Sequence, residues 1–243
     1  MTVVAVTGPA GGLGVSTVAA ALASTWPDQC VLVECDPSGG DIGAWWDLPA
    51  SPALASAVAA APTDWLSIAE HAQPVGAVQV LAAPVRTGEA AVTVASAVQR
   101  LVPILAGSME IDAIVDAGRC GPALPAAVAQ AALTVVVARQ VPGSTRATAA
   151  ILDRTADVLA LSAQRAIPTV VAMVGSDPYP AGEIARYLGV EVFAIADDRL
   201  GAAVLAGRPA TGRLATRSRL LRSTRLLATA VHHQLGSLMP VTR

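Results

Sequence analysis

The sequence predicts a single α/β domain, residues 1–243, built on one doubly wound, mostly parallel sheet with helices on both faces. Three observations carry this: short β-branched runs alternate with Ala-rich stretches, the runs are continuously apolar, and no linker or composition break divides the chain. Strands covered on both faces are apolar throughout rather than alternating, and such strands belong to parallel sheets. A chain of this length buries roughly 70–75% of the surface its unfolded form exposes, so its core needs no covalent or metal staple.

The strands are expected at residues 3–7, 31–34, 78–82, 113–116, 133–138, 169–174 and 192–195. Between them, segments 16–25, 88–105, 143–163, 181–188 and 218–235 are long enough to be crossover helices of βαβ units. The segment 37–73 is looser and carries Trp45, Trp46 and Trp65, three of the four tryptophans. Those at 45 and 46 have two readings, a partner contact or an anchor for the segment. The longest apolar stretch, 123–138, is too short for a ~20-residue membrane span and divides into an Ala-rich helix and a strand.

Composition excludes several classes. Hydrophobic residues make up 53% and charged residues 14%, and the apolar excess is mostly Ala and Val, which argues for burial rather than disorder. All 16 basic residues are arginine and there is no asparagine, so any mechanism requiring a Lys or Asn side chain is closed. A net charge of −2 argues against a surface that is wholly a nucleic-acid footprint. It leaves a local basic patch at Arg213, Arg217, Arg219, Arg222 and Arg225, set beside Leu220, Leu221, Leu226 and Leu227. Such a helix either touches DNA or an anionic membrane, or is the last helix of the domain with a solvated face. Cys30, Cys35 and Cys120 lack both a disulfide framework and metal-ligand spacing, and they read as reduced thiols of a cytoplasmic protein. The opening residues lack the basic start and long apolar core of a signal peptide. His71, His232 and His233 show no triad or metal spacing.

Ligands of open α/β sheets bind beyond the carboxyl ends of the strands. After the first strand comes Gly8-Pro9-Ala10-Gly11-Gly12-Leu13-Gly14-Val15-Ser16-Thr17, leading into an Ala-rich helix. Exposed backbone N–H groups and the helix dipole make an anion site there, unless the glycines only form a tight turn. Against the pattern G-x-x-x-x-G-K-[ST], Pro9 replaces the first Gly and Val15 replaces the Lys. The second strand runs into Glu34-Cys35-Asp36-Pro37-Ser38-Gly39-Gly40-Asp41, and the fourth into Asp116-Ala117-Gly118-Arg119. Each puts an acid at a strand's end.

Together these segments resemble the MinD/ParA branch of P-loop ATPases. Its deviant loop KGGxGKTT corresponds to residues 10–17, its D-x-D-P-x-G segment to 34–39, and its Walker B Asp and following glycine to Asp116 and Gly118. Residues 140–146 resemble the loop before a long helix, while 192–195, Asp197 and Gly207-Arg208-Pro209 resemble the closing strand, acidic loop and G-x-P turn. The form GGxGxST without the P-loop Lys is most similar to the atypical CpaE/TadZ and septum-site-determining group.

The resemblance implies a P-loop NTPase-like fold that binds ATP or ADP with Mg²⁺ through Gly11, Gly12, Leu13, Gly14, Val15, Ser16 and Thr17. It implies Mg²⁺ on Ser16 and, through water, on Asp116, with Asp36 near the attacking water or the γ-phosphate. Asp36 and Asp116 are thus the catalytic candidates. Both family lysines are replaced, by Ala10 and Val15, so hydrolysis is expected to be weak or absent. Arg119 is the first candidate to restore positive charge and Arg146 the second. Asp177 suits a guanine as an acceptor, or is a turn residue before Pro178. The implied role is a nucleotide-responsive positioning or scaffold factor for a pilus, secretion or septum assembly. It would act as a cytoplasmic homodimer that reaches membrane or DNA through the C-terminal arginines. The rivals are an active ParA-like ATPase in DNA partition and a pseudo-ATPase interaction module without nucleotide.

Overall fold

In the first strand, β1 (Val3–Gly8), Val3 and Ala5 enter one core while Val4 and Val6 enter another. A strand with apolar residues in both directions must be covered on both sides, and that requirement dictates the architecture. The computed structural model describes residues 2–207 and 218–238. The other strands are β2 (Cys30–Glu34), β3 (Gln73–Val75), β4 (Val78–Leu81), β5 (Asp112–Arg119), β6 (Leu133–Arg139), β7 (Thr169–Val174) and β8 (Val192–Ile195). They form one eight-stranded sheet in the order β3-β4-β2-β5-β1-β6-β7-β8. Only β3 and β4 pair antiparallel.

One face is covered by α1 (Val15–Ser24), the short α2 (Ile42–Trp45), α8 (Arg199–Leu205) and α9 (Arg219–Leu238). The other carries α3 (Leu54–Ala60), α4 (Trp65–Ala69), α5 (Thr87–Gly107), α6 (Thr145–Ala163) and α7 (Ala181–Leu188). All seven expected strands and all five expected crossover helices form. The unexpected strand, β3, is three residues long and contains Pro74, which an edge strand tolerates. The loose segment 37–73 holds α2, α3 and α4, each seated by a single buried residue or two: Ile42, Leu54 with Ala57, and Ile68.

Two expectations need correction. The Ala-rich helix within 123–138 is only a 3₁₀ turn, Val128–Gln130, because Pro122 and Pro125 precede it and β6 begins at Leu133. The longest apolar helix is instead α5, 21 residues and apolar enough to cross a membrane by length and composition alone. In this fold its stripe of Ala90, Val94, Ala97, Val98, Leu101, Val102 and Leu105 is buried against the sheet. The three cysteines are buried and unpaired, and burial, with help from Asp112, pushes the Cys30 thiol up to about 12. His71 bonds Ser56, and His232 meets Asp28 and the edge of Trp26, so both histidines serve local structure. On α9, Arg219, Arg222 and Arg225 are exposed while Leu220 and Leu227 are buried. Arg208, Pro209, Arg213 and Arg217 lie outside the described residues.

One carboxylate starts two helices. Asp198 accepts N–H bonds from Gly201 of α8 at 2.8 Å and from Arg219 and Leu220 of α9 at 2.8 and 3.3 Å, and the Ser218 hydroxyl donates to it at 3.2 Å. Partial burial opposes ionisation, but these donors outweigh it and hold the carboxyl below the usual carboxylate range. Asp198→Ala is therefore expected to cost about 2 kcal/mol in urea unfolding at pH 7, as the loss of two caps. Since the folded pKa is depressed, the contribution is full above the unfolded value of 3.8 and disappears on further acidification. The gap between parent and variant should narrow as the pH falls below 3.8.

Candidate functional site

The loop after β1 turns sharply to start α1, and Gly14 makes the turn at φ 94°, a left-handed conformation that glycine takes without strain. Gly11 and Gly12 are exposed on the loop's outer side. α1 then begins at Val15 without a side-chain cap, so its first N–H groups remain free to meet an anion. The loop forms one wall of a cleft of about 550 Å³, lined also by Asp36, Ser38, Asp41, Trp45, Gly118, Arg119 and Arg139.

Below the cleft lies Asp116, fully buried in β5. Its Oδ1 accepts the Gly118 N–H at 3.0 Å, while its Oδ2 has no hydrogen-bond partner among the described residues. Burial pushes this carboxyl up to about 6, against the opposing pull of the Ser16 hydroxyl and the Gly118 N–H, and the charges of Asp36 and Asp41 add to the rise. Ser16 faces Asp116 without completing a bond to Oδ2, so this oxygen is left to an additional partner. The Thr7 hydroxyl donates to Gly118 O at 2.9 Å and ties the ends of β1 and β5 together.

Gly118 has φ 62°, and a Cβ there would overlap the Asp36 carboxyl. A side chain at this position would therefore push Asp36 out of place. Asp36 is further fixed by accepting the Ser38 N–H at 2.7 Å. Glu34, the other acid of that segment, turns inward. Its Oε1 accepts the N–H groups of Asp41 and Ile42 at 2.7 and 3.0 Å, and its Oε2 that of Ala83 at 2.9 Å. Burial pushes it up to about 7 despite those donors. Glu34 thus anchors the loop that carries Asp36 and contributes nothing to the cleft lining.

The structure brings Gly11, Gly12, Gly14, Val15, Ser16, Thr17, Asp36 and Arg119 to one cleft, with Asp116 beneath it. Leu13 is buried and absent from the lining. Arg146 is exposed on the first turn of α6 and also absent from it. Asp177 is exposed and accepts the Gly143 N–H at 2.8 Å, joining two loops as a turn residue does. Trp46 donates from Nε1 to Leu205 O at 2.6 Å, so it anchors the 37–73 segment onto α8, whereas Trp45 faces the cleft.

One cation at the cleft escaped the sequence reading. Arg139 is the last residue of β6, the neighbour of β1, and its Nη1 pairs with Asp197 Oδ2 at 2.9 Å. It also borders a smaller cavity of about 150 Å³, lined by Gly14, Thr17, Val18, Val174, Ala196 and Asp197 among others. Strand ends line the sites of open sheets, and Arg139 lies one residue beyond the expected end of this strand at Ala138.

No family profile and no curated protein sequence matches the chain. Solved structures do. A ParA family ATPase from Chlorobium tepidum superposes with a TM-score of 0.71 at 18% identity, over 94% of this chain and 98% of that one. The cell division ATPase MinD of Pyrococcus furiosus gives 0.70 at 17% identity over 96% and 98%. The septum site-determining protein MinD of Pyrococcus horikoshii, complexed with Mg-ADP, gives 0.69 at 16% over 98% of each. The strand order, the cleft at the end of β1 and these superpositions agree: the chain has the fold of the MinD/ParA P-loop ATPases.

Proposed function

We propose that this protein is a nucleotide-responsive positioning or scaffold factor of the MinD/ParA kind that binds ATP or ADP with Mg²⁺ and hydrolyses ATP slowly or not at all. The observation that carries the reading is the buried, unpartnered Oδ2 of Asp116 facing Ser16 beneath the cleft. A carboxylate and a hydroxyl suit a hard divalent cation, and the ionised Asp116 costs least when a cation answers it. Ser16 and Asp116 would hold the metal, whose chemistry is to neutralise charge on the phosphates. Backbone N–H groups from Gly11 to Thr17 would hold the phosphates themselves. Asp36, set beside Gly118 at the rim, would orient a water.

Slow turnover follows from charge. Phosphoryl transfer depends on positive charge at the terminal phosphate, and Ala10 and Val15 stand where the resembled family has lysines. A role in pilus, secretion or septum assembly, and self-association into a homodimer, rest on the GGxGxST form of the loop. Contact with membrane or DNA would use Arg219, Arg222 and Arg225, whose exposure on α9 is compatible with either surface.

Calorimetric titration with Mg-ATP tests the reading. Saturable binding is expected, abolished by Gly14→Arg, which places a side chain at a left-handed position in the loop; a well-folded parent that takes up no nucleotide at millimolar concentration would overturn it. Restoring both lysines in an Ala10→Lys/Val15→Lys variant should raise ATP turnover at least tenfold over the parent in a phosphate-release assay. Asp116→Asn should remove the Mg²⁺ dependence of binding while stabilising the ligand-free protein. The sign follows from the raised folded pKa: the parent loses stability as pH climbs from about 4 through about 6, and the amide does not. Denaturation at pH 8 should show the variant ahead by roughly 1–3 kcal/mol, with no such gain below pH 4.

A further inference from the structure

We propose that Arg139 supplies the phosphate-binding charge that the loop lacks, gripping the diphosphate of the bound nucleotide with its guanidinium. This deepens the reading of the cleft as a nucleotide site and rests on it. The need is electrostatic. Asp36 and Asp41 line the cleft and Asp116 lies beneath it, so a polyphosphate arriving there meets negative charge that backbone dipoles alone offset poorly. Among the described residues, the cations in the lining are Arg119 and Arg139. Arg119 ends β5, on the Walker B side of the loop, and borders only the larger cavity.

Arg139 borders both cavities, at the place where the loop enters α1. Its Nη2 stands 3.6 Å from where a Cβ on Gly14 would be, and Thr17 and Val18 lie along the same cavity. P-loop backbone N–H groups cradle the inner phosphates of a nucleotide, so a cation beside Gly14 and Thr17 meets the diphosphate rather than the terminal phosphate. The fork is half used. Nη1 is held by Asp197, whereas Nε is buried and has no hydrogen-bond partner among the described residues. A buried donor left unmade is costly, and the Nε–Nη2 edge is the pair of donors that a guanidinium offers bidentately to phosphate. Asp197 fixes the plane of the group from the opposite side, so little side-chain freedom remains to be lost on binding. The strand end also holds the charge more rigidly than a flexible lysine in the loop would.

The test is calorimetric titration of the parent, Arg139→Gln and Arg139→Lys with Mg-ATP, Mg-ADP and AMP. Arg139→Gln should weaken ATP and ADP by the same factor, about ten- to a hundredfold, and leave AMP within about twofold. Arg139→Lys keeps the charge but not the fork, and it should recover part of the loss. The salt dependence of ADP binding should also be shallower in Arg139→Gln than in the parent, a readout that a purely structural ion pair to Asp197 would not move. If Arg139→Gln is poorly folded by circular dichroism, Arg139→Lys carries the test: a loss of about threefold or more, equal for ATP and ADP, supports the assignment. A folded variant that binds ADP as tightly as the parent overturns it and leaves the nucleotide site standing. A parent that binds neither ADP nor inorganic pyrophosphate overturns the site itself.

Discussion

The constraint on which the site depends is a carboxylate at the centre of the sheet with one oxygen unsatisfied. Asp116 lies in β5, between β1 and β2, fully buried, and its Oδ2 meets no donor among the described residues. Everything near it is arranged to keep it there. The Gly118 N–H holds Oδ1, Thr7 locks the carbonyl of Gly118 to β1, and the missing side chain of Gly118 leaves room for Asp36. A group pushed up to about 6 by burial destabilises the ligand-free fold at neutral pH, and a structural role alone would be served better by an amide. In the proposed function a cation would complete the arrangement.

The second constraint is charge. A phosphate loop without lysine still offers N–H groups and a helix dipole, and those suffice to place an anion but do little to stabilise charge moving onto a leaving group. The proposed function therefore separates binding from catalysis. Arg139 and Arg119 flank the loop from the ends of β6 and β5, where rigid strands fix them, and neither occupies the positions of the replaced lysines. On the proposed reading, a cleft built in this way would favour holding a nucleotide over cleaving it.

Strand positions were legible in the sequence because each is a continuous apolar run, and the long crossover helices because they have the length and the Ala-rich interior that a sheet-covering helix requires. The short helices of 37–73 were not: four to seven residues complete too few turns to show a period, and burial of Ile42 or Ile68 is a tertiary fact. The site was legible where backbone geometry fixes it, at Gly14, Ser16, Asp36, Asp116 and Gly118. It was illegible where side chains decide. Glu34 shares the acidic pattern of Asp36 yet turns inward to hold three N–H groups, and nothing in a linear pattern separates the two. Arg139 and Asp197 are 58 positions apart in numbering, and only the pairing of β6 with β7 and β7 with β8 brings them together.

The same pair ties the cleft to the far helices. Asp197 holds Arg139 at 2.9 Å, and the next residue, Asp198, starts both α8 and α9 through four donors. The two acids are adjacent in the chain, so the ion pair and the caps sit on one short loop. A phosphate gripped by the Nε–Nη2 edge would leave the Nη1 pair with Asp197 in place, and any displacement of that pair would meet the caps of the arginine-bearing helix. The caps resist because a carboxylate shared among four donors is costly to displace. The loop after β8 is thus held by its hydrogen bonding and tied to the cleft through the Arg139–Asp197 pair, alongside the direct packing of α1, which begins in the cleft loop, on α9.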